Sequence, residues 1–86
     1  MARRQNILPI AVKYRLNAEG MPLAHLLQTL GRYRHGHLGW HPEVATLSVM
    51  GAFPLNDTDR ALELLQAALP VRVQRLTPWW VTAEPA

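Results

Sequence analysis

A chain of 86 residues, 49% hydrophobic and 17% charged, suffices for one small domain, and its composition excludes disorder over most of its length. No apolar run approaches the ~20 residues of a membrane helix, and the absence of cysteine excludes disulfides, zinc–thiolate sites and thiol catalysis. The formal net charge of +3 comes from nine basic residues scattered between Arg3 and Arg75, a mild balance that fits nucleic acid, an acidic protein partner, or neither.

Met1–Asn6 is polar and reads as a tail ahead of a single domain over residues 7–86. Arg3 and Arg4 precede only a short apolar run, Ile7–Val12, broken by Pro9, which is not the pattern of a secretory signal. Ile7–Leu16 (ILPIAVKYRL) reads as one or two strands, with Ile10, Val12, Tyr14 and Leu16 on one face. Asn17–Gly20 has the residues of a turn, and Pro22 suits the first turn of a helix. Leu23, Leu26, Leu27 and Leu30 form the apolar stripe of that helix, and Tyr33 extends it. Gly36 is the expected stop, with Arg32 and Arg34 at the negative end of the helix dipole. His37–His41 reads as a short strand and Pro42–Ala45 as a bend or a single helical turn.

Leu47–Leu69 organises the rest. Leu47, Val49 and Gly51 alternate with Ser48, Met50 and Ala52, the mark of a strand covered on at least one face. Pro54 lacks a backbone donor and ends easy pairing. Asn56 is expected to cap the next helix, and Asp59 three residues later gives a variant of the capping box. Ala61, Leu62, Leu65, Ala68 and Leu69 recur at helical spacing, and Pro70 stops the helix. Val71 and Val73 then alternate with Arg72 and Gln74, Leu76–Pro78 is a tight connection, and Trp79–Ala83 is a last strand, so the two form a hairpin. On that strand Trp79 and Val81 share one face, Trp80 and Thr82 the other. The order β-α-β-β-α-β-β gives an α+β fold of two strand–helix–strand units, in which each helix must lie against a sheet or the other helix.

Reactive groups are sparse. His35 and His37 share one side of an extended segment with His41 beyond, but Glu43 is the only nearby carboxylate, and solvated histidines account for the spread. Ser48, the sole serine, lies within a strand without a glycine elbow, and helix capping accounts for Asp57 and Asp59. The chain therefore reads as a non-enzyme without metal or cofactor. RNA binding is the alternative, because β-α-β-β-α-β is also the order of the RNA recognition motif. The strand TLSVMGAF lacks that motif's basic-Gly-aromatic-Gly-aromatic pattern. Gly36-His37-Leu38-Gly39 matches the GXXG of KH domains, but strand pattern rather than a second helix follows it. Tyr14, Trp40 and Trp80 remain as large aromatics on short strands. In a domain this small not every tryptophan can be enclosed, and short sheets leave edges that accept a partner strand.

Several blocks together carry a resemblance: MPLAHLLQTL (Met21–Leu30), RYRHGHL (Arg32–Leu38), HPEVA (His41–Ala45), GAFPLNDTD (Gly51–Asp59) and LPVRVQRLTPWWVT (Leu69–Thr82). In this order they resemble the C-terminal end of FecR-type sigma-factor regulators, over about Gly20–Pro85. Members usually carry a small residue where Trp40 stands and an acid where His41 stands. The resemblance implies a piece of a single-pass inner-membrane protein, whose cytoplasmic end controls an extracytoplasmic-function sigma factor. It implies a periplasmic location for this part. The implied partner is the N-terminal signalling domain of a TonB-dependent outer-membrane siderophore receptor. The implied fold is that of the short domain shared by secretins and TonB-dependent receptors (STN), two helices between small sheets of two and three strands.

The expected mode of action is docking. A strand edge, His37–Trp40 (with His37 and Leu38) or Thr46–Met50, meets the partner. Trp40, Trp80 and Met50 serve as apolar anchors, and Arg32, Arg34 and Arg72 as a charged rim. Leu23, Leu27, Leu30, Leu62 and Leu65 are assigned to the core. Self-association into a homodimer through unpaired edges or an exchanged N-terminal arm is the second hypothesis.

Overall fold

The computed structural model of the chain describes residues 15–86. Most of the first expected strand, Ile7–Tyr14, the 1–6 tail and the N-terminal arm lie outside the described residues. Strand β1 runs Arg15–Pro22, helix α1 Leu23–Gly31 and strand β2 His37–Trp40. A 3-10 turn at Pro42–Val44 precedes strand β3, Ser48–Pro54. Helix α2 spans Thr58–Ala68, and strands β4, Val71–Thr77, and β5, Trp80–Pro85, close the chain as the expected hairpin.

The strands divide between two sheets. β1 and β3 pair antiparallel as one sheet; the other has the order β2-β5-β4, with β2 parallel and β4 antiparallel to β5. Helix α1 touches β1, β3 and β2, and α2 touches β3 and β4, so the helices join the two sheets. This is the expected α+β arrangement of two helices with sheets of two and three strands.

Asn17–Gly20 is not a turn but the middle of β1. Gly20 has φ 75°, and the register slips between Glu19 and Met21, so its left-handed backbone makes a bulge instead of a reversal. The Gly20 N–H donates to the Met50 thioether sulfur at 2.9 Å.

Pro22 stands at the N-cap of α1, one residue ahead of the expected position, and offers no side-chain cap. Neighbouring carbonyls substitute: Leu23 N–H donates to Leu47 at 2.8 Å and Ala24 N–H to Ala45 at 3.0 Å. The four leucines of the stripe are each 0% exposed, but the helix ends at Gly31, and Tyr33 beyond it is nearly half exposed. Gly36 therefore does not stop the helix; its role is described below. For α2 the cap is Asp57, not Asn56: its Oδ1 accepts the Arg60 N–H at 3.1 Å. Asp59 is thereby in the first turn, where its charge suits the dipole, and its side chain is free for other partners. Ala61, Leu62 and Leu65 are buried, whereas Ala68 faces solvent.

Among the described residues every buried side chain is apolar. Leu23, Leu26, Leu27, Leu30, Leu62 and Leu65 form the centre, with Val49 and Phe53 from β3 and Val81 and Ala83 from β5. Each fully buried leucine contributes roughly 1.5–3 kcal/mol from removal of its surface from water.

Candidate docking surface

Alternation along β2 and β5 sorts the three-stranded sheet into two rows. Leu38, Val81 and Ala83 are buried toward the helices, and Trp40 is half-buried on the same side. Leu38, expected at the partner surface, belongs to the core instead, because alternation leaves open which row faces inward. His37, Trp80 and Arg72 point the other way and are exposed. His37 lies opposite Trp80 in the register, with ring centroids 4.5 Å apart. The His37 ring also lies over Gly39, where a β-carbon would come within 2.7 Å of Nε2. Arg72 donates to Glu84 across the β4–β5 pair at 3.3 Å.

Among the described residues the hairpin tip gathers the most exposed apolar surface. Pro78 and Trp79 form the turn between Thr77 and Trp80, and the Thr77 hydroxyl accepts the Trp79 N–H at 3.2 Å. Trp79 therefore does not share the inner face with Val81; it is 64% exposed. A register irregularity between Arg75 and Thr77 leaves Leu76 as the extra residue, 60% exposed. Gly36, with φ 91°, packs against the Trp79 backbone so closely that a β-carbon would collide with the Trp79 carbonyl. The neighbouring His37 N–H donates to that carbonyl at 2.6 Å. The loop after α1 and the hairpin tip are thus one unit.

The arginines have separate tasks. Arg34 reaches inward: its side chain is 11% exposed, and its guanidinium donates to Asp59 at 3.3 Å, Thr58 at 3.4 Å and the Pro78 carbonyl at 3.4 Å. Its Nε is buried without a partner among the described residues. Arg75 donates to the same Asp59 Oδ1 at 3.0 Å. Partial desolvation raises the Asp59 pKa, but hydrogen bonds and charge from Arg75 and Arg34 outweigh it and hold the carboxyl below its ordinary 3.8. Arg32 is exposed and has no ion pair among the described residues. An open depression of about 310 Å³ is lined by Arg32, Tyr33, Arg34 and His35.

The expected contact residues do not all share one surface. Met50, 64% exposed, lies on β3 in the other sheet and holds Gly20 through its sulfur. Arg32, His37, Arg72 and Trp80 belong to the three-stranded sheet and its adjoining loop; Arg34 is engaged internally. Sequence reading overlooked Leu76, Trp79 and Asp59, since a bulge, a turn and a three-part ion pair leave little local signal. β2 lies at a sheet edge. The N–H groups of His37 and His41 donate toward β5, so Leu38 and Trp40 present their backbone N–H and C=O outward, without a backbone partner among the described residues. The edge of β4 is partly covered, since the Gln66 side chain of α2 accepts the Val73 N–H at 2.8 Å.

His41 has a local role: its Nδ1 accepts the Glu43 N–H at 3.1 Å and caps the 3-10 turn. Among the described residues no three His, Asp or Glu side chains converge as metal ligands do. The six arginines of residues 15–86 are matched by six carboxylates, so the surplus of positive charge resides in Arg3, Arg4 and Lys13. No protein-family model matches the chain, and no curated protein matches it.

Proposed function

We propose that this chain is the periplasmic protein-interaction domain of a transmembrane sigma-factor regulator, where it binds the N-terminal signalling domain of a TonB-dependent siderophore receptor. The observation that carries the reading is the division of the strands into a two-stranded and a three-stranded sheet joined by two helices. That division accords with the fold implied by the sequence blocks from Met21 to Thr82. The exposed row around His37 and Trp80, beside an edge strand, supports action by docking.

RNA binding fits less well. The RNA recognition motif displays its aromatics on one four-stranded sheet, whereas these strands belong to two. Residues 15–86 also carry no net formal charge to draw phosphate. The test is a calorimetric titration of the chain with signalling domains of TonB-dependent receptors, the receptor encoded beside its gene first. Saturable one-to-one binding to one of them supports the proposal. Absence of heat with every such domain, from a folded chain, removes it.

A further inference from the structure

We infer that the Arg32–Gly36 loop and the tip of the β4–β5 hairpin form one docking end for an acidic, apolar protein segment; its assignment to the receptor signalling domain rests on the proposed function. Three observations converge. The two segments are bonded into one body, through Arg34 to the Pro78 carbonyl at 3.4 Å and His37 N–H to the Trp79 carbonyl at 2.6 Å. This end displays Trp79, Leu76 and Trp80, which are 64%, 60% and 49% exposed. Rigid aromatic side chains on a fixed turn lose little entropy on binding, which is the property of an energetic anchor.

The third observation is charge. Residues 32–37 and 75–80 contain three arginines and two histidines but no carboxylate. Among the described residues Asp59 is the one acid bonded to this end, and both Arg34 and Arg75 already donate to it. One carboxylate against three guanidiniums leaves this end positive, although residues 15–86 as a whole are balanced. A surplus of this size matches a few partner carboxylates beside an apolar side chain. It is small for nucleic acid, whose binding draws on many neutralised phosphates.

The test follows the backbone amides of the full chain by NMR during separate titrations. The probes are a short peptide alternating Glu with Phe and Leu, the same peptide with Lys for Glu, a single-stranded oligonucleotide, and the receptor signalling domain. The acidic peptide is expected to shift amides in 32–37 and 76–80, and the Lys peptide to leave them unmoved. Arg32→Glu is expected to weaken acidic-peptide binding about tenfold, and Trp79→Ala about thirtyfold. Both side chains are exposed, so the variants retain the parent spectrum elsewhere. No response to the acidic peptide, an equal response to the Lys peptide, or an equal response to the oligonucleotide overturns the inference. A receptor domain that binds through β1 and β3, leaving this end unmoved, overturns it while the proposed function stands. A receptor domain that does not bind, beside an acidic peptide that does, removes the proposed function and supports this surface.

Discussion

His37 and Trp80 face each other across the parallel β2–β5 pair, with their ring planes inclined by 37°. The contact depends on a glycine: with no side chain at Gly39, the imidazole can settle over the strand backbone beside the indole. An edge strand of four residues thereby gains an outer-face tie to the strand at the centre of its sheet.

Gly39→Ala should displace that ring. The group a new methyl meets is the tip of the His37 side chain, which can rotate away, so the stability cost should stay within about 1 kcal/mol. The expected result is a changed Trp80 indole signal and loss of the His37–Trp80 cross-peaks, with an unaltered core. Cross-peaks that persist would show that the strand accommodates the methyl without moving the imidazole.

Gly36→Ala should be far more damaging. The obstacle here is the Trp79 backbone, which cannot swing aside, and φ 91° is unfavourable for any residue with a side chain. A loss of about 2 kcal/mol or more is expected, a fall in Tm on the order of 10 °C for a domain of this size. Thermal denaturation with near-wild-type Tm would refute the close packing of loop and hairpin.

Asp59 links α2, the loop after α1 and β4 through two guanidiniums. Its folded pKa lies below the unfolded value, so it adds stability above about pH 3.8 that is lost as pH falls through the folded value. Asp59→Asn should therefore lower stability near neutral pH and flatten the acid limb of the stability curve. The carboxylate is 67% exposed, so the effect should be about 1 kcal/mol or less and shrink with added salt. Chemical denaturation of both proteins between about pH 6 and about pH 3 measures it. Parallel curves would rule out a contribution from this carboxylate.

Gln66 shields the β4 edge by accepting the Val73 N–H. Gln66→Ala should cost about 1 kcal/mol and expose an edge able to pair with a second copy. Denaturation and sedimentation at several concentrations test both effects. A variant that keeps wild-type stability and mass would assign the shielding to water.

The core was the most legible part of the sequence. Leu23, Leu26, Leu27 and Leu30 recur at helical spacing, and nothing in tertiary structure overrides a stripe of that strength. Local chemistry misled where one residue type serves two geometries. Asn17–Gly20 has the composition of a turn, yet Gly20 uses the same positive φ to bulge a strand. Asn56 and Asp57 both cap helices, and only the hydrogen bond to Arg60 chooses between them. Leu38 was expected at a strand edge, and its backbone lies there, but its side chain is in the core, because alternation defines two faces without naming the inner one. The proposed docking surface was legible only in part. Its indoles are evident in the sequence, but the joining of Gly36 to Trp79 and of Arg34 to Asp59 requires the chain to be folded.

In the three-stranded sheet the middle position belongs to β5, the last strand in the chain. β2 and β4 share no hydrogen bonds, so neither has its strand neighbour until Trp80–Pro85 is in place. Until β5 follows, β2 has no strand partner among the described residues and keeps its contact with α1. Long-range pairing of this kind is slow and vulnerable to aggregation. Aggregation during refolding should accordingly track β2, not the leucine-rich helix beside it.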